Sequence, residues 1–123
     1  MLVVSGRIQT GYGRGKRLGF PTINLAVPGS VTARQWGVYF SLTTVGRTVY
    51  PSLTHLGPPK TFGLRQPTCE TYVLNKPALV LTTLVRVRLL EKLRNIEKFK
   101  TAADLKRQIA SDVRAARIYF GLK

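Results

Sequence analysis

The sequence predicts a mainly β protein, an antiparallel barrel or sandwich with one C-terminal helix. Three observations predict it. About six short stretches of strand composition are separated by turn signals, a helical apolar stripe occurs only near the end, and strand and helix units do not alternate as a parallel sheet would require. The chain has 123 residues, of which 44% are hydrophobic and 20% charged. Those proportions are ordinary for a globular protein, and residues 1–123 are expected to form one domain around one core.

Residues 2–9 are rich in aliphatic and β-branched side chains and run into Gly11, which reads as a first strand ending in a glycine-rich segment. Pro28-Gly29 marks a turn after Leu25-Ala26-Val27. Residues 37–45, GVYFSLTTV, have strand composition; Gly46-Arg47 supplies a tight turn and residues 48–56 return as the hairpin partner. Residues 57–67 hold three prolines and two glycines and predict a loop. Residues 69–74, CETYVL, alternate so that Glu70, Tyr72 and Leu74 share one side.

Residues 81–90, LTTLVRVRLL, alternate again: Thr83, Val85, Val87 and Leu89 face a core, while Arg86 and Arg88 face solvent or an anion. The helix is expected at about 101–120. Thr101 with Asp104 three residues on resembles a capping box, and Leu105, Ile109, Val113, Ala116 and Phe120 have helical spacing before Gly121 ends the run.

Charge narrows the range of partners. Twenty Lys and Arg against five acids give +15 and a pI near 11.0, a field that attracts nucleic acid or small phosphorylated ligands. Residues 1–69 contain no Asp or Glu, so Glu70 is the first carboxylate. The others, Glu91, Glu97, Asp104 and Asp112, lie among lysines and arginines, where salt-bridged helix faces are the usual explanation. A lone cysteine, Cys69, excludes an internal disulfide, and the single histidine, His55, gives no triad or metal site; neither is assigned a catalytic role. No apolar run approaches the roughly 20 residues that span a bilayer, and the first residues lack a signal peptide's pattern. No membrane partner and a cytoplasmic location are the default expectation.

The most informative stretch is 11–24, GYGRGKRLGFPTIN. Its glycines let backbone N–H groups approach an anion, and Arg14, Lys16 and Arg17 add charge. A flexible basic loop is the plainer alternative. It is not a Walker A loop, because Thr10 stands where the first glycine belongs and Arg17 follows Lys16 in place of Ser or Thr. Nor is it a dinucleotide fingerprint, since Lys16 occupies the third glycine position and no helical pattern follows.

Taken with GVY at 37–39, HLGPPKTFG at 55–63, CET at 69–71, LRNIEKF at 93–99 and DLKRQIASDVRAAR at 104–117, this stretch resembles riboflavin kinase. The order and spacing are similar to the kinase module of bacterial bifunctional riboflavin kinase/FMN adenylyltransferase over nearly the whole chain. The resemblance implies a six-stranded antiparallel Greek-key β-barrel with a C-terminal α-helix. It further implies transfer of the γ-phosphoryl group of ATP to the ribityl terminal hydroxyl of riboflavin, giving FMN and ADP with Mg²⁺ or another divalent cation assisting. An FMN adenylyltransferase domain, fused or separate, is an implied partner, and FAD synthesis is not expected from these residues alone.

The same resemblance assigns roles. The glycine-rich loop 11–19, with Gly11, Gly13, Arg14, Gly15, Lys16 and Gly19, would wrap the nucleotide, followed by Pro21. Thr22 and Asn24 would hold the Mg²⁺, a hard cation that keeps waters and takes phosphate oxygens. Glu70 matches the catalytic carboxylate, and Arg94 and Phe99 match the riboflavin-binding arginine and aromatic. A strand start at residues 21–24, a surface glutamate at 70 and a core anchor at 99 are the plain structural alternatives. Departures from the family pattern cluster on the flavin side: His55 for the usual Asn, Pro59-Lys60-Thr61-Phe62 for Pro-Thr-Phe, Asn75 for an acidic residue, Leu81-Thr82 for Tyr-Gly, and Ile96 for Glu. A rival reading is a basic barrel that binds nucleic acid or regulates, its kinase activity weakened or lost. It accounts for +15 more directly, but gives no reason for Pro-Thr-x-Asn or for the solitary Glu70.

Overall fold

The computed structural model describes residues 2–10, 19–59, 61, 63, 66–75 and 79–123. Six strands form one antiparallel sheet: β1 (Val3–Arg7), β2 (Ile23–Leu25), β3 (Gly37–Val45), β4 (Thr48–Gly57), β5 (Thr68–Val73) and β6 (Leu84–Arg94), followed by one helix, α1 (Ala102–Tyr119). The spatial order is β1-β6-β3-β4-β5-β2. Within it β6-β3-β4-β5 has three hairpin-connected strands and a fourth that returns beside the first, which is the Greek key. A bridge between Gln9 and Asn24 links the chain just past β1 to β2, nearly closing the barrel. No helix among the described residues is long and apolar enough to cross a membrane.

Alternation sorts each strand between two faces. Inward, Val4, Leu25, Leu56, Cys69, Val85, Val87 and Leu89 pack with Ile8. Outward, Val38, Phe40, Leu53, Tyr72 and Leu74 pack under Val113 and Ala116 of α1. Burying each such Val, Leu or Phe contributes about 1.5–3 kcal/mol, so the helix is held to the outer face of β3, β4 and β5. Phe20 meets Tyr72 edge-on, with centroids 5.8 Å apart, and brings the chain ahead of β2 onto the same face. Gly46, at φ +60°, turns β3 into β4, a conformation that costs glycine little.

β6 differs from its sequence reading at both ends. Residues 81–83 form a turn because Thr82, at φ +71°, donates its N–H to Ile8 O (2.9 Å) and receives Arg7 Nη1 at its carbonyl (3.0 Å). At the far end the strand continues to Arg94, carried past the loss of alternation by register shifts against β3 between Tyr39 and Ser41 and between Val38 and Tyr39. Thr101 caps α1 as expected, accepting the Asp104 N–H at 3.1 Å. Asp104 itself pairs with Arg107 one turn along the helix.

Candidate active site

The carboxylate predicted as the base stands in a row of side chains across the outer face. In the register of the sheet Glu70 on β5 lies opposite Asn24 on β2 and opposite His55 on β4. Val38 on β3 lies opposite His55, and Arg94 on β6 lies opposite Val38. Directly opposed residues bring their Cβ atoms to about 4.5–5.5 Å. Carboxylate, amide and imidazole therefore sit side by side, although the sequence separates them widely.

Each member has a backbone reason for its place. Asn24 accepts the Gln9 N–H at its carbonyl (2.8 Å), so the barrel's closing bridge fixes it against Glu70. Glu70 is buried, with 9% of its surface exposed. The Thr68 hydroxyl, two residues back on the same face, lies 3.2 Å from Glu70 Oε2 and 3.3 Å from Gly57 O, so its one proton serves either oxygen in turn. Gly57, at φ +132°, leaves no room for a side chain: a Cβ there would lie 3.0 Å from Trp36 Cγ and 3.2 Å from Ile96 Cδ1. Trp36 and Ile96 thus close over the end of β4 beside the row.

Of the predicted nucleotide and metal residues, Gly11, Gly13, Arg14, Gly15 and Lys16 lie outside the described residues, as do Lys60 and Phe62 of the loop after β4. Gly19 is exposed at φ +87°, Pro21 follows it, and Thr22 immediately precedes β2, two residues ahead of Asn24. A recess of about 390 Å³ lies beside Asn24 and Thr68, bounded also by Gln9, Thr10 and Pro67. Among the described residues no three His, Cys, Asp or Glu side chains gather as a metal cage. A Thr hydroxyl and an Asn amide beside a carboxylate nevertheless suit a hard cation that draws most of its ligands from phosphate and water.

Arg94 and Phe99 are brought together, about three strand spacings from Glu70. Arg94 donates Nε and Nη2 to both carboxylate oxygens of Asp112 on α1, at 2.8–3.2 Å, and Nη1 to Asn95 O at 3.0 Å. Gln108 Nε2 adds a further bond to Asp112 (2.9 Å). Asp112 is 3% exposed, so this acid is a clamp between strand and helix and not the salt-bridged helix face expected of it. The Arg94 guanidinium lies 5.8 Å from the centre of the Phe99 ring, and Phe99 N–H donates to Thr61 Oγ1 at 3.0 Å. Cys69 points inward, away from the row. Burial, with the neighbouring Glu70 charge adding, pushes its thiol up to about 12, which suits packing and not nucleophilic chemistry.

Comparison with known proteins fits this arrangement. The family model described as riboflavin kinase (Flavokinase) matches residues 1–120. The chain belongs to the riboflavin kinase family. It is 33% identical over 121 residues to the bifunctional riboflavin kinase/FMN adenylyltransferase of Escherichia coli, covering 97% of this chain and 38% of that protein. The chain therefore spans well under half the length of that relative. Among solved structures, a Streptococcus pneumoniae protein described as a macrolide-efflux protein superposes with a TM-score of 0.79 at 25% identity, over 94% of this chain and 38% of the other. Riboflavin kinase from Trypanosoma brucei shares the fold, with a TM-score of 0.63 at 22% identity, over 97% of this chain and 79% of the other. The resemblance read from the motifs holds, and family membership supports phosphorylation of riboflavin.

Thr68 escaped the sequence reading, and His55 entered it only as a departure from the family pattern, with no role assigned. A lone histidine carries no motif, and only the hairpin register, which sets β4 against β5, places it beside Glu70.

Proposed function

We propose that this riboflavin kinase family member transfers the γ-phosphoryl group of ATP to the terminal ribityl hydroxyl of riboflavin, yielding FMN and ADP. The observation that carries the reading is the direct cross-strand opposition of Asn24 and Glu70. It sets an oxygen donor suited to a hard cation against a buried carboxylate, two of the parts that phosphoryl transfer needs. Glu70 accepts the hydroxyl proton as the ribityl oxygen bonds to the γ-phosphorus and the bond to the β-phosphate oxygen breaks, leaving ADP. Burial keeps bulk water from competing for that proton position.

The N–H groups of residues 11–19, with Arg14 and Lys16, neutralise the polyphosphate. Thr22 and Asn24 are the residues that would hold Mg²⁺, which when bound neutralises charge on the phosphate oxygens. Riboflavin has a ring system at one end and the reacting hydroxyl at the other. Its chain lies toward Glu70 and its ring toward Phe99, two ends that stand three strand spacings of about 4.8 Å each apart. Arg94 serves the ring end by fixing residues 95–99 and α1 together.

Incubating the folded protein with riboflavin and MgATP and separating flavins chromatographically tests the reading. FMN is the expected product, and none at high enzyme concentration, with the fold intact by circular dichroism, sinks it.

A further inference from the structure

We infer that His55 is a positioning residue for the Glu70 carboxylate, an inference that rests on the reading of Glu70 as the base. His55 is directly opposite Glu70 in the β4–β5 register and on the same outer face. Beyond His55 stands Val38, which is apolar and buried under α1, and beyond Glu70 stands Asn24, whose backbone the Gln9 bridge holds. Along β5 the Thr68 hydroxyl divides its single proton between Glu70 Oε2 and Gly57 O.

A glutamate side chain has three rotatable bonds, and a base must meet its proton within hydrogen-bond reach. The Thr68 hydroxyl restrains it from its own strand. The imidazole restrains it from β4 and is a planar N–H donor stiff enough to fix a rotamer. With His55 in place the carboxylate is held from β4 as well as from its own strand. Without it the carboxylate swings, and a displacement of about 1 Å costs up to a hundredfold in rate.

The test is a double-mutant cycle on turnover. His55→Leu is expected to lower kcat about tenfold or more while the KM values for riboflavin and ATP stay within about twofold, because positioning acts on the chemical step. His55→Asn, whose short amide keeps an N–H donor on the same strand face, restores most of kcat. In a Glu70→Gln background, His55→Leu produces no further loss, since nothing remains to be positioned. Thermal melts of each variant separate loss of fold from loss of rate, and His55→Ala, which likewise lacks a donor, replaces His55→Leu if the latter unfolds.

An equal loss from His55→Leu with and without the Glu70 carboxylate overturns the inference, as does a raised KM with kcat unchanged. Normal kcat in His55→Leu, with Glu70→Gln inactive, overturns it while leaving the base reading intact. Near-normal turnover of Glu70→Gln alone removes the base reading, and this inference with it.

Discussion

Glu70 and Thr71 are neighbours on β5 that face opposite ways, and their surroundings differ in kind. Inward, Thr71 ends a run of hydroxyls in contact: Thr43 with Ser52 (2.9 Å), Ser52 with Ser41 (2.7 Å), Ser41 with Thr54 (2.8 Å) and Thr54 with Thr71 (2.8 Å). All five side chains are sealed from solvent and satisfy one another, beside an apolar core. Outward, the polar groups of β2, β5 and β4 are a carboxylate, an amide and an imidazole gathered near a recess. On β5, alternation therefore separates a sealed hydroxyl from the carboxylate proposed as the base. Adjacent residues should fail in different ways.

The largest expected effect is on the outward side. Glu70→Gln keeps the shape and removes the proposed base, so turnover should fall by about 10²–10⁴-fold, the usual worth of a positioned general base. Its melting temperature should stay close to the parent's and nucleotide binding should persist. Steady-state kinetics beside a thermal melt checks both. Near-normal turnover would take Glu70 out of the base role, and a large drop in melting temperature would break the division between faces.

Next comes the part of the outer row that is structural. Asp112→Ala leaves the Arg94 guanidinium partly buried without its carboxylate, a change expected to cost about 3–5 kcal/mol. Chemical denaturation measures it. The effect on KM for riboflavin should exceed that on KM for ATP, because the clamp holds the Phe99 end of the row and not the Asn24 end. A loss confined to kcat would show that the two halves of the row are not separable in this way.

A smaller effect is expected inside the barrel. Thr54→Val is nearly isosteric but strips Ser41 and Thr71 of a shared partner, and leaving such buried hydroxyls short of a bond costs about 1–3 kcal/mol. Turnover of the folded variant at a temperature well below its midpoint should match the parent's. Reduced kcat there would mean that the inner hydroxyls transmit to the outer row.

How much of this was legible follows from the range of each interaction. The strand content, the 37–56 hairpin, the shared side of Glu70, Tyr72 and Leu74 and the helix stripe are local, set by periods of two and 3.6 residues and by turn chemistry, so sequence reading reaches them. The hydroxyl run went unread because Ser41, Thr43, Ser52 and Thr54 look like polar positions on half-exposed strands, and only barrel closure turns them inward. The end of β6 was missed because its register shifts interrupt alternation. Asp112 has helical neighbours of opposite charge, so nothing local reveals a partner on β6. The proximity of Asn24, Glu70 and His55 is a matter of register between distant strands; for the first two it was reached through resemblance, and His55 was noted only as a departure from the family pattern.

The smallest effect concerns Cys69, next to Glu70 but on the inner face. Its buried thiol is pushed up from an ordinary value of 9.0 to about 12, so the folded state retains a proton that the unfolded chain loses earlier. The sign follows from that difference. The contribution to stability is complete below pH 9 and is lost progressively as pH rises toward 12, at no more than about 1.4 kcal/mol per pH unit. Cys69→Ala should lower stability at pH 7 through the cavity it leaves, yet lose less than the parent between pH 9 and pH 10, with Tyr39, whose hydroxyl is also raised by burial, common to both. Unfolding free energies of the two proteins across that interval give the measurement, and parallel curves would refute it. An aromatic disulfide reagent at pH 8 should label the thiol only as fast as the protein opens, while labelling at the rate of a free thiol would place Cys69 on the outer, reactive face and overturn its assignment to the core.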